Sequence, residues 1–302
     1  MKDIYLFTNS FPYTKTGEIF IEPEIGIVAD LDCKIYIVPT NKDSYKRHVP
    51  TNIEVLPKIW MCVSMVFSSK FWKMLREARK PKRIAQGTKY LYGALLTRNF
   101  LINKTKSPAI LYSYWFAYTA LGFALAKEDS EDISKCTLVS RGHGYDIFDD
   151  SRAVFIPFRK LTLKNLDKVY SVSKVGAEYL GKRFPEYSNK LEVSHLGVFP
   201  IEPCGEDKER DYLSFVSCSS VIEVKRVSLI YNSIKHYAET HSDKQIVWTH
   251  FGSGNLMPQL EEEVKNHPSN LKVELKGFVS NTDIHKCYSE RYFDIFVNLS
   301  SS

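Results

Sequence analysis

The residues best suited to chemistry lie in two short segments. The first, residues 138–146, runs Leu-Val-Ser-Arg-Gly-His-Gly-Tyr-Asp and sets His143 between Gly142 and Gly144. Paired glycines let the backbone press close to a neighbour and leave the imidazole at the end of an apolar run. There it can hydrogen-bond a substrate hydroxyl or stabilise charge developing on an oxygen. A histidine satisfied within a tight turn is the plainer alternative; Arg141 and Asp146 beside it favour the functional one. The second segment, residues 215–226, carries Ser219 in its loop and ends in Lys225-Arg226 at the expected start of a helix. Fixed positive charge beside backbone amide donors suits a diphosphate. The competing view is that these two basic side chains are simply solvated.

Glycines recur at comparable places. Gly17-Glu18 closes the loop after the first apolar run, where Gly17 would admit a phosphate or sugar to backbone amides. Gly252 and Gly254 follow another apolar run, and Gly277-Phe278-Val279 a third, with room for a base or ribose at Gly277. None of these is the G-x-G-x-x-G of nicotinamide cofactor sites. Ser173 reads as a helix N-cap, and His195 as packing rather than chemistry.

These segments need elements to position them. Short runs rich in β-branched residues at 3–8, 33–39, 110–114, 136–140, 168–173 and 191–196 are apolar throughout, as strands buried on both faces of a parallel sheet are. Between them the spacing is helical, as over 19–31 with Ile21, Ile25, Val28 and Ala29 on one face. A second alternation has strands at 213–217, 245–251, 271–276 and 293–299 and helices at 227–237, 258–266 and 281–289. This predicts an α/β protein of two doubly wound domains, 1–200 and 212–302, joined by a linker at 201–211; residues 199–211 hold two prolines, a glycine and a charge run. The second domain stops early for a complete parallel sheet, so it is expected to be truncated at Ser302.

Composition narrows the classes further. The 302 residues are 44% hydrophobic and 25% charged, which excludes disordered and fibrous proteins. Six scattered cysteines without a C-x-x-C pair argue against a disulfide framework or a zinc site. Residues 110–126 carry no charge but are too short and too rich in tyrosine and serine to span a bilayer, so a buried strand and helix are expected. The net charge of +6 is uneven: residues 58–106 hold twelve lysines and arginines against one acid, Glu77. Such a concentration implies an anionic partner. Trp60, Met61, Val63, Met65, Phe67, Phe71, Trp72 and Met74 interleave with these charges, as in a surface helix resting on anionic lipid. A helix whose basic face meets only solvent remains the alternative.

Taken in order, these motifs resemble glycosyltransferase family 4, the retaining sugar transferases of GT-B fold. Phe11-Pro12 with Gly17-Glu18 and Glu24, the 141–146 segment, Val172-Ser173, Leu196-Gly197-Val198, Lys225-Arg226, Gly252-Ser253-Gly254, Gly277 with Asn281 and Tyr288, and residues 296–302 carry the likeness. The resemblance implies two Rossmann-like domains facing a cleft. It implies a nucleotide diphosphate sugar bound by Ser219, Lys225, Arg226, Gly252, Gly254, Gly277, Phe278 and Val279, with Gly17 closing over the phosphates. His143 would be the catalytic contact to the donor sugar. Glu18, Tyr114, Trp115 and Asp146 would stand on the acceptor side, and no obligatory metal or other cofactor would be needed. It further implies a lipid-linked or oligosaccharide acceptor in surface-polysaccharide assembly and a station at the cytoplasmic membrane face. The chain departs from the family in having Ser219-Ser220 where a basic residue is common. It also ends before the family's E-G-x-P-x-x-x-x-E segment, so as given it is expected to be poorly active or inactive.

Two other classes compete. A nucleotide-sugar 2-epimerase of the same fold would need acid/base carboxylates, for which the first half offers Glu18 and Asp146. A non-catalytic basic scaffold would bind membrane or RNA without nucleotide affinity; no nucleic-acid motif supports the RNA arm.

Overall fold

A computed structural model of the chain describes residues 2–14, 17–57, 69–77, 84–105, 108–148, 156–198, 200–202, 204–205 and 210–301. Two compact units divide at Val198, and the expected linker residues group with the second.

The apolar runs of the first unit become seven strands: β1 (Asp3–Thr8), β2 (Ile35–Pro39), β3 (Ile53–Val55), β4 (Ala109–Ser113), β5 (Thr137–Gly142), β6 (Lys168–Ser171) and β7 (Leu191–Val193). All pair in parallel, in the order β3-β2-β1-β4-β5-β6-β7. β3 was not anticipated, since three residues are too few to read as an apolar run. Helices α1 (Ile21–Ala29), α2 (Ser69–Glu77), α3 (Ile84–Lys104), α4 (Tyr118–Asp129), α5 (Glu131–Ser134), α6 (Gly144–Ile147), α7 (Arg159–Asn165) and α8 (Lys174–Arg183) connect them. Ser173 caps α8 by accepting from the Gly176 amide. The uncharged 110–126 segment is β4 followed by α4, whose residues from Thr119 to Ala126 are all buried.

Phe71 and Met74 correct the reading of the basic aromatic stretch. Rather than facing outward, they pack with Tyr90, Leu91, Ala94 and Leu95 of α3 and with Leu121 and Leu125 of α4. The apolar side of α2 is consumed in closing the core, and Trp72 alone of these is exposed, at 58%. Residues 58–68, 78–83 and 106 of that stretch lie outside the described residues. Among the described residues no helix is long and apolar enough to cross a membrane.

The second unit has β8 (Tyr212–Cys218), β9 (Gln245–Phe251), β10 (Leu271–Leu275) and β11 (Ile295–Phe296), again parallel, in the order β10-β9-β8-β11. Helix α9 (Val227–Thr240) buries Val227, Ile230, Tyr231, Ile234 and Ala238 at helical spacing over Trp248 and Phe215,. Helices α10 (Met257–Glu263) and α11 (Asn281–Glu290) complete it.

Each sheet has one place where the strand order reverses, between β1 and β4 in the first and between β8 and β11 in the second. In open parallel sheets ligands bind outside the carboxyl ends of the strands at this point.

Candidate functional site

At the reversal in the first sheet, the loop after β1 wraps around a single side chain. Glu18 is buried and sits at φ 53, a left-handed conformation that costs a non-glycine residue about 1–2 kcal/mol. Its carboxylate offsets that cost: Oε1 accepts from the Asn9 amide at 2.9 Å and the Trp115 indole at 2.6 Å, while Oε2 accepts from the Ser10 and Phe11 amides at 2.7 and 2.6 Å. Glu18 therefore ties the β1 loop to the β4 loop and has no capacity left for an acceptor. Gly17 donates its amide to Thr14 Oγ1 at 3.0 Å, so that amide is taken too.

Asp146 does the same between the loops after β4 and β5. One oxygen accepts from the His143 amide and the other from the Phe116 amide at 2.7 Å. Arg159 clamps the turn from the far side, donating to the carbonyls of Phe116 and Asp146. Tyr114 is fully buried, and burial pushes its phenol far up. Glu18, Tyr114 and Asp146, expected on the acceptor side, are all buried and help hold these loops together.

What they hold is His143. Its ring packs against Trp115, with centroids 4.5 Å apart, and against Phe20 and Tyr114, each at 5.3 Å. The side chain is almost wholly buried, yet neither ring nitrogen has a hydrogen-bond partner. The nearest acid, Asp146, is 3.9 Å from Nδ1 with both oxygens occupied. A buried imidazole left unpaired in this way loses free energy, and strand-end sites are where such groups meet ligands. Behind it, Arg141 pairs with Glu24 at 3.1 Å and donates to Ser194 at 3.0 Å, while the Tyr112 hydroxyl donates to Glu24 at 2.9 Å. Beside the box opens a pocket of about 320 Å³ lined by Thr8, Asn9, Tyr90, Trp115, Ala117, Tyr118, Thr119, Tyr145, Asp146 and Ile156.

In the second unit the edge is built from backbone. Gly252, at φ 139, lies so close to the loop after β8 that a Cβ there would stand 1.8 Å from the Ser219 carbonyl oxygen; at Gly254 a Cβ would meet the Val221 oxygen at 2.3 Å. The Ser219 amide donates to Phe251 and the Val221 amide to Ser253. These two glycines thus serve the contact between loops. Gly277, at φ 64, has open space where a Cβ would be, and its carbonyl accepts from the Gly252 amide at 2.8 Å. Phe278 beside it is 48% exposed, and Val279 half-buried.

Lys225 ends a single 3-10 turn (Glu223–Lys225), and Arg226 follows at φ 50 as the N-cap of α9. Lys225 is half-buried and Arg226 exposed, and neither has an ion pair among the described residues. The chain after β11 returns to this place, since the Ser301 amide donates to the Val224 carbonyl at 2.8 Å. Two cations at a helix N-terminus beside a strand-order reversal have the charge and dipole that favour an anion. Below the loops, Trp248 Nε1 donates to Ser217 Oγ, which bonds His250 Nδ1 at 2.8 Å. His250 is fully buried, and burial pushes it down to about 4. Its other nitrogen faces the Ser219 backbone without a hydrogen bond of ordinary geometry.

Sequence reasoning missed Phe20, Arg159, Tyr118 and His250. Among the described residues no three His, Cys, Asp or Glu side chains come together as metal ligands would.

No protein-family model and no curated protein matches the chain. Solved structures do. A lipopolysaccharide outer core galactosyltransferase, WaaB in its apo form, is 12% identical over 99% of this chain and 74% of its own, with a TM-score of 0.61. A TarM mutant from S. aureus, in complex with fondaparinux, alpha-GlcNAc-glycerol and UDP, is 11% identical over 100% of this chain and 81% of its own, at 0.63. An E. coli trehalose-6-phosphate protein bound to UDP-2-fluoro glucose is 13% identical, covering 99% and 78%, at 0.61. Identities this low show the fold alone: a parallel α/β unit followed by a second, smaller one, the GT-B class expected from the sequence.

Proposed function

We propose that the protein transfers a sugar from a nucleoside diphosphate sugar to a saccharide acceptor, as glycosyltransferases of family 4 do. The observation that carries this is His143, buried in an aromatic box at the strand-order reversal with both ring nitrogens unpaired. A ligand hydroxyl at this position would supply the partner that the imidazole lacks.

The second unit would hold the diphosphate: Lys225 and Arg226 neutralise it as it leaves, and open Gly277 with Phe278 gives the base a surface. The first unit would hold the acceptor. Retention of configuration, a lipid-linked acceptor in surface-polysaccharide assembly and a station at the membrane follow from the same resemblance and belong to this reading. Basic residues of the 58–106 stretch would serve the last of these. Epimerisation is disfavoured on a specific ground, because the two carboxylates it would need, Glu18 and Asp146, are saturated by backbone and indole N–H groups.

The UDP and GDP arms of a calorimetric titration test the donor half. One nucleotide is expected to bind, and Lys225→Ala to weaken it about tenfold or more, the loss expected for one hydrogen bond to a charged group. In the whole protein, His143→Ala is expected to stop transfer from the matching nucleotide sugar without weakening nucleotide binding to that extent. Absence of binding by both nucleotides, or full transfer by His143→Ala, would overturn the proposal.

A further inference from the structure

The pocket beside His143 offers an unusual surface for a protein that handles sugars. Most of its polar side chains already bond to protein. Thr8 Oγ1 donates to the Phe11 carbonyl at 2.6 Å, and the Tyr118 hydroxyl bonds Thr40 Oγ1 at 2.8 Å. The Asn9 side-chain oxygen accepts from Asn41 at 2.9 Å, and Thr119 Oγ1 bonds Ser113 Oγ at 2.5 Å. Trp115 and Asp146 are taken up as described above. Among the described residues that line the pocket there is no lysine or arginine. What remains is aromatic and aliphatic: the faces of Tyr90, Trp115, Tyr118 and Tyr145, with Ala117 and Ile156. Tyr90 and Tyr118 lock edge-to-face, 6.2 Å apart.

A pyranose ring brings a hydroxyl on nearly every carbon, each of which loses water on entry and needs a partner. This pocket has few to give. Among the described lining residues a phosphate or carboxylate would find no cation. A hydrocarbon chain needs neither, and about 320 Å³ falls at the low end of the range of ligand pockets. The pocket also shares Trp115 and Asp146 with the surroundings of His143, so it adjoins the His143 box.

We infer that this pocket binds the hydrocarbon chain of the acceptor, an acyl or isoprenoid tail, and presents the attached head group at His143. The inference rests on the proposed function, and it adds that the acceptor is recognised by its tail in the first unit.

The test is a series of alkyl β-glucosides, from methyl through butyl and hexyl to octyl. Each is titrated into the full chain below its micelle-forming concentration, with binding read by saturation-transfer NMR. Affinity is expected to rise by roughly fourfold per methylene, the free energy of burying one CH₂ expressed as a binding ratio, and to level off once the pocket is full. Ala117→Leu fills the cavity and is expected to erase the dependence on chain length. Tyr145→Ala removes a wall residue that is 57% exposed, so the fold tolerates it, and the dependence is expected to fall severalfold. UDP titrated into the same samples should bind all three proteins alike. Equal binding of methyl and octyl glucosides would overturn the inference. So would a chain-length dependence that survives in a folded Ala117→Leu protein, or tighter binding of glucose 6-phosphate than of the octyl glucoside. Were UDP to bind while the tail dependence is absent, the inference alone fails; a tail dependence without any nucleotide binding would sink the proposed transfer instead.

Discussion

In the first unit, the loops at the reversal are joined by buried carboxylates: Glu18 ties the loops after β1 and β4 through three amides and an indole, and Asp146 ties the β4 loop to the one after β5. In the second, the corresponding loops meet backbone to backbone, through glycines that no larger residue could replace. Carboxylates used as ties leave aromatic faces and one imidazole without a hydrogen-bond partner among them. Glycine ties put no side chain into the contact, so Lys225, Arg226 and Phe278 stay available at the surface. One edge thus presents aromatic surface and an unpaired imidazole, the other two cations.

The comparison breaks first at Gly252. Alanine there would place its Cβ 1.8 Å from the Ser219 oxygen at a φ of 139, so the two loops must part or the unit must open. A loss of more than about 4 kcal/mol is expected, in the range reserved for overpacking joined to backbone strain. Gly277→Ala meets nothing and carries only its φ of 64, for about 1 kcal/mol; Gly144→Ala in the first unit meets nothing at an ordinary φ and is expected to be close to neutral. Chemical denaturation of the three variants, followed by hydrogen exchange of β8 and β9 amides, checks the order. Similar losses at Gly252 and Gly277 would show that the loop contact does not hold the second edge.

Glu18→Gln tests the other tie. The amide keeps the shape but turns an N–H toward backbone N–H donors, leaving at least one buried donor unpaired. About 3 kcal/mol is expected, from the loss of charge-assisted bonds and the desolvation of an unpaired group. The same variant should loosen Trp115, read as a red shift of its emission, and leave UDP binding by the second unit untouched. A change in UDP affinity with no change at Trp115 would reverse the assignment of Glu18 to the first edge.

How much of this was legible in sequence depends on the range of the interaction. The strands announced themselves because a parallel sheet buries both faces, so six of the first unit's runs read directly. β3 failed for want of length, and β11 shrank to Ile295–Phe296 from an apolar run of seven residues. His143 was visible because its turn is local, with glycines on either side and Asp146 three residues on. Its box was not: Phe20 lies more than a hundred residues away, and Arg159 reaches Phe116 across forty-three. Nothing in a local pattern marks such partners. Glu18 and Asp146 were found as acids near strand ends, but only coordinates show how many N–H groups claim each one. Gly252 and Gly254 stood out as glycines, while the neighbouring loop that each must clear was not visible in the local pattern. His250 looked like any residue of a buried strand.

His250 sharpens the comparison by a smaller effect, confined to the second edge. Buried beneath the Ser219 and Gly252 loops, it is held down to about 4 by desolvation, against an ordinary 6.5 in the unfolded chain. The neutral form is therefore the one the fold prefers. Above about pH 6.5 both states are neutral, and the contribution to stability is complete. As the pH falls below that, the unfolded chain takes up the proton first, so stability declines toward pH 4 and then levels off. Between pH 7 and pH 5 the decline is about 2 kcal/mol by proton linkage. Glu274 does not blur that window: burial raises it, but hydrogen bonds from Lys272, Arg291 and Lys276 bring it to about 2, so it stays charged throughout. Hydrogen exchange of β8–β10 amides at the two pH values, in the parent protein and in His250→Gln, reads the effect. The variant is expected to lose overall stability by removing the bond to Ser217, yet to show no slope between pH 7 and pH 5. An equal slope in both proteins would place the titrating group elsewhere and leave the second edge held by its backbone contacts alone.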